Sequence, residues 1–260
     1  MTSERASQHA WFGVSALLFA ASTAVTIEWC ASMAAMGGMS MPGGWTMSMA
    51  WMRMPGQTWT HAAVSFVGMW IVMMAAMMLP SLVPMLGRYR QAIGGAGLGR
   101  LTALVGTGYF FVWTVLGMAV FPIGVALATV AMQRPALARG VPMAIGVVVV
   151  IAGALQFTAW KARHLACCRE SPLRGRTLRA DAGTAWRHGL RLGLHCIHCS
   201  AGLTAILLVI GVMELRVMAI VTAAITIERL APNGERVARA IGAVVVGTGL
   251  FLIARAAGLG

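Results

Sequence analysis

Residues 101–130 read LTALVGTGYFFVWTVLGMAVFPIGVALATV, thirty residues without a charged side chain. A helix needs about 20 such residues to cross the hydrocarbon of a bilayer, so this stretch predicts a transmembrane span. Working outward, similar apolar runs fall near residues 10–31, 62–86, 141–160, 192–213, 216–230 and 238–257. Together they predict an all-α fold, a polytopic transmembrane helix bundle of about seven spans, organised as a single integral membrane domain over residues 1–260. The run at 216–230 is the short one. Its flanking Glu214, Arg216, Glu228 and Arg229 also suit a re-entrant or interfacial segment. Two polar stretches remain between the runs: a Met-rich outer loop at 33–61 and a basic cytoplasmic loop at 161–191.

Composition points the same way. Of 260 residues, 59% are hydrophobic and 10% charged, whereas soluble domains carry about 25% charged residues. The net charge of +13 raises nucleic acid as a partner, but the basic residues sit between spans rather than beside aromatics on one face. Lipid headgroups are the expected partners, with no nucleic acid. No cleavable signal is evident before the first apolar run, which is read as retained. With the N-terminus inside and seven spans, fifteen Lys and Arg fall on the inner side; only Arg53, Arg134, Arg139, Arg216 and Arg255 fall outside. Positive loops are held in the cytoplasm, so the expectation is a multi-pass protein of the bacterial inner membrane with a cytoplasmic N-terminus, Pro172 to Ala185 inside and Gly43 to Gln57 outside.

The soft donors supply the chemistry. In the outer loop Met33, Met36, Met39, Met41, Met47, Met49, Met52 and Met54 alternate with Gly, Ser and Pro. Thioethers select Cu(I) over hard cations, which makes Met36, Met39 and Met41 candidate ligands; an apolar lid of Met with Trp45, Trp51 and Trp59 is the rival reading. Met69, Met73 and Met77 recur every four residues, with Met74 and Met78 on the adjoining stripe, before Pro80 and Pro84, where the helix is expected to be interrupted. Met73 and Met77 are candidates for passing a soft ion inward, although such a stripe is more often packing.

The strongest signal is His195-Cys196-Ile197-His198-Cys199, expected at the inner end of the fifth run. On a helix Cys196 and Cys199 share a face at i, i+3, and His195 lies within reach of His198 and Cys199. Two thiols and an imidazole suit Cu(I), and Zn(II) accepts the same donors. His164, Cys167 and Cys168 fall on the same side and can complete the site. Juxtamembrane cysteines beside Lys161, Arg163 and Arg169 equally suit lipidation. Cys30 stands alone near the outer face. Glu28 is expected at the interface, Gln156 to bond across helices, and Glu228 to pair with a loop Arg.

Several of these segments carry a resemblance. The run Met73 to Ser81, the stretch from Ala152 through Gln156 to Lys161 and Cys167, and the block His188-Gly189-Leu190 through Cys196, Cys199, Gly211-Val212-Met213, Glu228 and Pro232 resemble the bacterial predicted metal-binding integral membrane proteins, domain of unknown function 2182. The likeness covers roughly residues 62–240, and members are sometimes described as copper chaperones. It implies Cys168, Cys196 and Cys199 as ligands. The chain departs in having His198 and Ser200 where the family tends to have Gly and a further Cys.

The expected function is therefore binding of a soft metal, Cu(I) above Zn(II), with delivery or transport at the inner membrane. A protein partner in a membrane complex or delivery pair goes with it. The alternative is a non-catalytic accessory or anchor subunit of a larger membrane enzyme complex, metal- or haem-binding. The six His fall toward span ends, which disfavours bis-His haem within the bilayer. No catalytic triad, nucleotide loop or paired-carboxylate site is visible, so no enzyme is expected.

Overall fold

A computed structural model describes residues 2–54, 56–93, 97–169 and 180–258. With no water in a bilayer core to satisfy backbone groups, apolar runs close their hydrogen bonds internally as helices. The described residues form eight: α1 (Thr2–Ala35), α2 (Trp59–Ile93), α3 (Leu98–Gln133), α4 (Pro135–Leu155), α5 (Ala159–Arg169), α6 (Ala182–Ile210), α7 (Leu215–Leu230) and α8 (Gly234–Ala256). The protein is an all-α polytopic bundle, and six of its helices are long and apolar enough to cross a membrane.

The expected seventh span is α7. Its 16 residues rise about 24 Å, short of the roughly 30 Å of hydrocarbon. It nevertheless returns the chain from one end of the bundle to the other. Gly146 and Gly153 of α4 face Gly249 and Gly242 of α8, an antiparallel pairing, so α8 begins where α4 ends. At this seam a Cβ on Gly153 would lie 2.8 Å from the backbone N of Val246. A Cβ on Gly189 would run into the carbonyl O of Val105, so α6 and α3 also touch backbone to backbone. Small residues of this kind let membrane helices approach closely enough to pack without a hydrophobic drive between them.

Three expectations need correcting. α2 is not interrupted at Pro80 and Pro84 but continues to Ile93; packed membrane helices carry Pro because neighbours take up the freed backbone groups. The fourth run ends at Leu155, and its last residues turn into α5. The basic loop is helical at both ends: Thr158 Oγ1 accepts from the Lys161 N–H at 3.2 Å, and Asp181 caps α6, accepting from the Thr184 N–H at 2.9 Å. An Asp at the N-cap satisfies an orphan amide and sets the helix start. Of the stretch expected inside, 172–179 lies outside the described residues.

The Met-rich segment is not a span. After α1 it forms a short antiparallel hairpin, β1 (Met39–Met41) and β2 (Trp45–Met47), with Met39 opposite Met47. Gly43 and Gly44 turn it at φ +99° and +74°, a region that favours glycine. A 3-10 turn over Met49–Trp51 leads on toward α2. Met41 and Met47 are buried against Ala128, Ala131 and Ala138 of α3 and α4, and Trp45 Nε1 donates to the Ala138 carbonyl at 2.9 Å. In the bundle interior Trp70, Tyr89, Tyr109 and Trp113 are fully buried, and Trp70 Nε1 donates to the Trp113 carbonyl at 2.9 Å.

Candidate metal centre

Cys196 and Cys199 lie in the middle of α6 rather than at its end, because that helix starts at Ala182. Their i, i+3 spacing turns both inward, and they are 1% and 3% exposed. The last turn of α5 brings Cys168, 2% exposed, to 3.4 Å between its Sγ and that of Cys199. From α2, Met78 places its Sδ 3.9 Å from Cys196 Sγ, and from α3 the Tyr109 hydroxyl lies 2.8 Å from the same sulfur. Four sulfurs from three helices thus meet in one buried cluster.

A cation sits among them. Arg229 of α7, 3% exposed, points Nη2 at Cys196 Sγ (2.9 Å) and Cys199 Sγ (3.1 Å), while its Nη1 donates to the Ser81 hydroxyl at 3.0 Å. The neighbouring Glu228 does not answer this charge. Its carboxylate pairs with Lys161 of α5 at 2.6 Å, the one ion pair among the described residues, and accepts from Gln156 Nε2 at 3.1 Å. Lys161 also donates to the Cys199 carbonyl. A buried charge without a partner is costly, and the polar groups nearest the guanidinium are the two α6 sulfurs and the Ser81 hydroxyl. Among the described residues no group of three or more His, Cys, Asp and Glu side chains has the arrangement of a finished metal site; the guanidinium lies between the two α6 sulfurs.

A family model described as copper chaperone, PpoB2, matches residues 67–252. The chain belongs to this copper-chaperone family. No curated protein and no solved structure matches the chain. Every residue of the cluster, from Met78 through Tyr109, Cys168, Cys196 and Cys199 to Arg229, falls inside the segment that the family covers, whereas α1 and the hairpin precede it.

The remaining candidates are distributed as follows. His195 and His198 do not join the thiols, because one step along α6 turns them to another face, and His164 of α5 packs against them rather than against the cysteines. The rings of His164 and His198 stack with centroids 5.0 Å apart, His195 lies 6.0 Å from His164, and His198 is exposed. Their Nδ1 atoms are taken locally, by the Trp160 carbonyl for His164 and the Leu194 carbonyl for His198. Cys167 is exposed and points away from its buried neighbour. Met73 and Met77 are buried in the core of the bundle; Met78, on the adjoining stripe, is the thioether that reaches a cysteine. Met36 and Met39 are exposed and Met41 is buried under the hairpin.

Gln156 bonds across helices as expected, and Glu28 is exposed on α1. Glu228 pairs with Lys161 rather than a loop Arg, because α5 carries that lysine back across the end of α7. Arg169 instead donates to the backbone carbonyls of Glu228 and Pro232, tying α5 to the end of α7. Sequence reasoning missed Arg229, Tyr109, Ser81 and Met78. An ionisable residue inside an apolar run is a functional candidate by default, and that signal pointed to Arg229 as much as to Glu228.

Proposed function

We propose that the chain binds Cu(I) through the thiolates of Cys196 and Cys199, with the uncharged Cys168 thiol and Met78 thioether as further donors, and delivers it at the bacterial inner membrane without catalysing a reaction. The observation that supports this most is Arg229, a buried cation placed against two thiols. Cu(I) held by two thiolates carries a net charge of −1, and the guanidinium restores neutrality in a medium where net charge is expensive. Zn(II) with the same two thiolates is already neutral and leaves Arg229 uncompensated, which favours Cu(I). Membership of a copper-chaperone family supports the same cargo.

Lipid is the proposed surrounding, consistent with outward-facing Phe12, Leu17, Phe111, Leu127, Val244 and Phe251. The positive loops support a cytoplasmic N-terminus. Delivery implies a protein recipient, which makes a metal-delivery pair the proposed assembly, and the accessory-subunit reading has no separate observation in its favour. The test is replacement of Cys196 and Cys199 together by Ser, which keeps size and removes the soft donors. Bound copper, measured by elemental analysis of purified chain loaded with Cu(I), falls by one equivalent while the protein still accumulates in the membrane. Unchanged copper content refutes the centre and leaves the cysteines as packing residues.

A further inference from the structure

A second group of soft donors lies at the other end of α6 and plays no part in the centre just described. A cavity of about 1090 Å³ opens between the end of α1, the hairpin, α3, α4 and the α6–α7 link. Cys30, Met33, Met47, Met49, Met213 and Glu214 are among its lining residues. Cys30 is 3% exposed, and its Sγ lies 3.8 Å from Met213 Sδ. Met33 follows Cys30 by three residues on α1, on the same face. Met47 comes from β2 and Met49 from the 3-10 turn, so four separate segments bring a sulfur-bearing residue to the lining of one space.

We propose that this cavity is a second Cu(I) site, held by the Cys30 thiolate and the Met213 thioether and completed by Met33, Met47 or Met49. Two sulfurs bonded to one ion at about 2.3 Å, a typical metal–thiolate length, subtend a near-tetrahedral angle when they stand 3.8 Å apart. Charge selects the ion. One thiolate, uncharged thioethers and Cu(I) make a neutral complex, and among the described residues the cavity lining contains no Lys, Arg or His to balance an anionic one. Zn(II) in the same sulfur donors leaves a net positive charge. On binding, the Cys30 thiol gives up its proton to water. Glu214, exposed at the wall, biases the cavity toward cations.

The two sites belong to one path. Ala205 of α6 lines the cavity, six residues beyond Cys199, a rise of about 9 Å. Cys30, Met74, Met78, Met218 and Cys196 belong to one contiguous buried cluster, with a thioether against the cysteine at each end, Met213 at Cys30 and Met78 at Cys196. Cys30, Met33, Met47 and Met49 precede the segment matched by the family model, and Met213 lies within it. The inference rests on Cu(I) as cargo, and does not require Cys196 and Cys199 to be ligands.

The test is Cu(I) titration of the full chain in detergent against a chromophoric Cu(I) chelator. The wild type takes up two equivalents, and Cys30→Ser takes up one. A chain with Cys167, Cys168, Cys196 and Cys199 all replaced by Ser retains one equivalent, and Met213→Leu in that chain weakens it at least about tenfold, the loss of one of a few soft donors. If Cys30→Ser in the otherwise native chain binds as much Cu(I) as the wild type, the cavity site is wrong, whatever the other centre does. Loss of copper from the four-Ser chain with wild-type content in Cys30→Ser likewise overturns it while leaving the Cys196–Cys199 centre standing. Retention by the four-Ser chain combined with loss in Cys30→Ser supports it, even where the Cys196–Cys199 centre fails its own test. Should the four-Ser chain not fold, Cys30→Ser and Met213→Leu in the native background give the same decision.

Discussion

Replacing Arg229 by Gln removes the cation from the thiol cluster while keeping a polar, hydrogen-bonding side chain, shorter by two atoms. Nη2 lies 2.9 Å from Cys196 Sγ and 3.1 Å from Cys199 Sγ, which puts the centre of the guanidinium charge about 4 Å from each sulfur. At that distance and an effective dielectric near 20, a unit charge stabilises a complex of net charge −1 by about 4 kcal/mol. At about 1.4 kcal/mol per tenfold, this corresponds to nearly three orders of magnitude in Cu(I) affinity. Lys161 does not make up the loss, since its own charge is spent on Glu228. Competition against a chromophoric Cu(I) chelator under anaerobic conditions is the assay, with monodispersity in detergent as the check on folding. Arg229→Gln weakens Cu(I) binding by about a hundred- to a thousandfold, and Arg229→Lys recovers at least about tenfold of that, because charge rather than fork geometry is what the complex lacks. A folded Arg229→Gln chain binding Cu(I) within about threefold of wild type refutes the charge-balance argument.

Glu228→Gln leaves Lys161 buried without its counter-ion, and breaking such a pair costs about 3 to 5 kcal/mol; a clear fall in Tm is expected by thermal unfolding in detergent, and an unchanged Tm would mean that the pair is solvated. Gly189→Ala drives a Cβ into the Val105 carbonyl and lowers stability by about 1 to 3 kcal/mol, whereas Gly106→Ala, with nothing within 4 Å of its added Cβ, raises it by up to about 1 kcal/mol through helix propensity; equal effects at the two positions argue against close α3–α6 packing. For orientation, single cysteines introduced at exposed Ser40 and Ala180 in a chain whose native cysteines are Ser should react differently with an impermeant thiol reagent on intact cells. Ser40→Cys labels, Ala180→Cys labels only after permeabilisation, and the reverse pattern overturns the positive-inside assignment.

What the sequence made legible follows from the range of the forces involved. Spans were readable because hydrocarbon imposes its demand on each segment separately: residues 101–130 must be helical whatever surrounds them. The Cys196–Cys199 face was readable for the same local reason, an i, i+3 relation on one helix. Arg229 was legible only as a charge inside an apolar run; its role was not, since that depends on α7 returning beside α6, and its neighbour Glu228 goes to Lys161. His195 and His198 illustrate the converse error. Adjacent in sequence to the thiols, they suggested a shared site, but a step of one residue rotates a helical side chain by about 100°, enough to put His198 at the surface while Cys199 faces the core. Cys30 looked solitary because its partner Met213 is 183 positions away. Each miss concerns a contact between helices, and in a bundle whose seams are set by glycines such as Gly189 and Gly153, those contacts are decided by which backbones can touch. The chemistry of this protein is therefore assembled by its packing: the helices are specified one at a time, and the sulfurs meet the guanidinium only where small residues let α2, α3, α6 and α7 close around them.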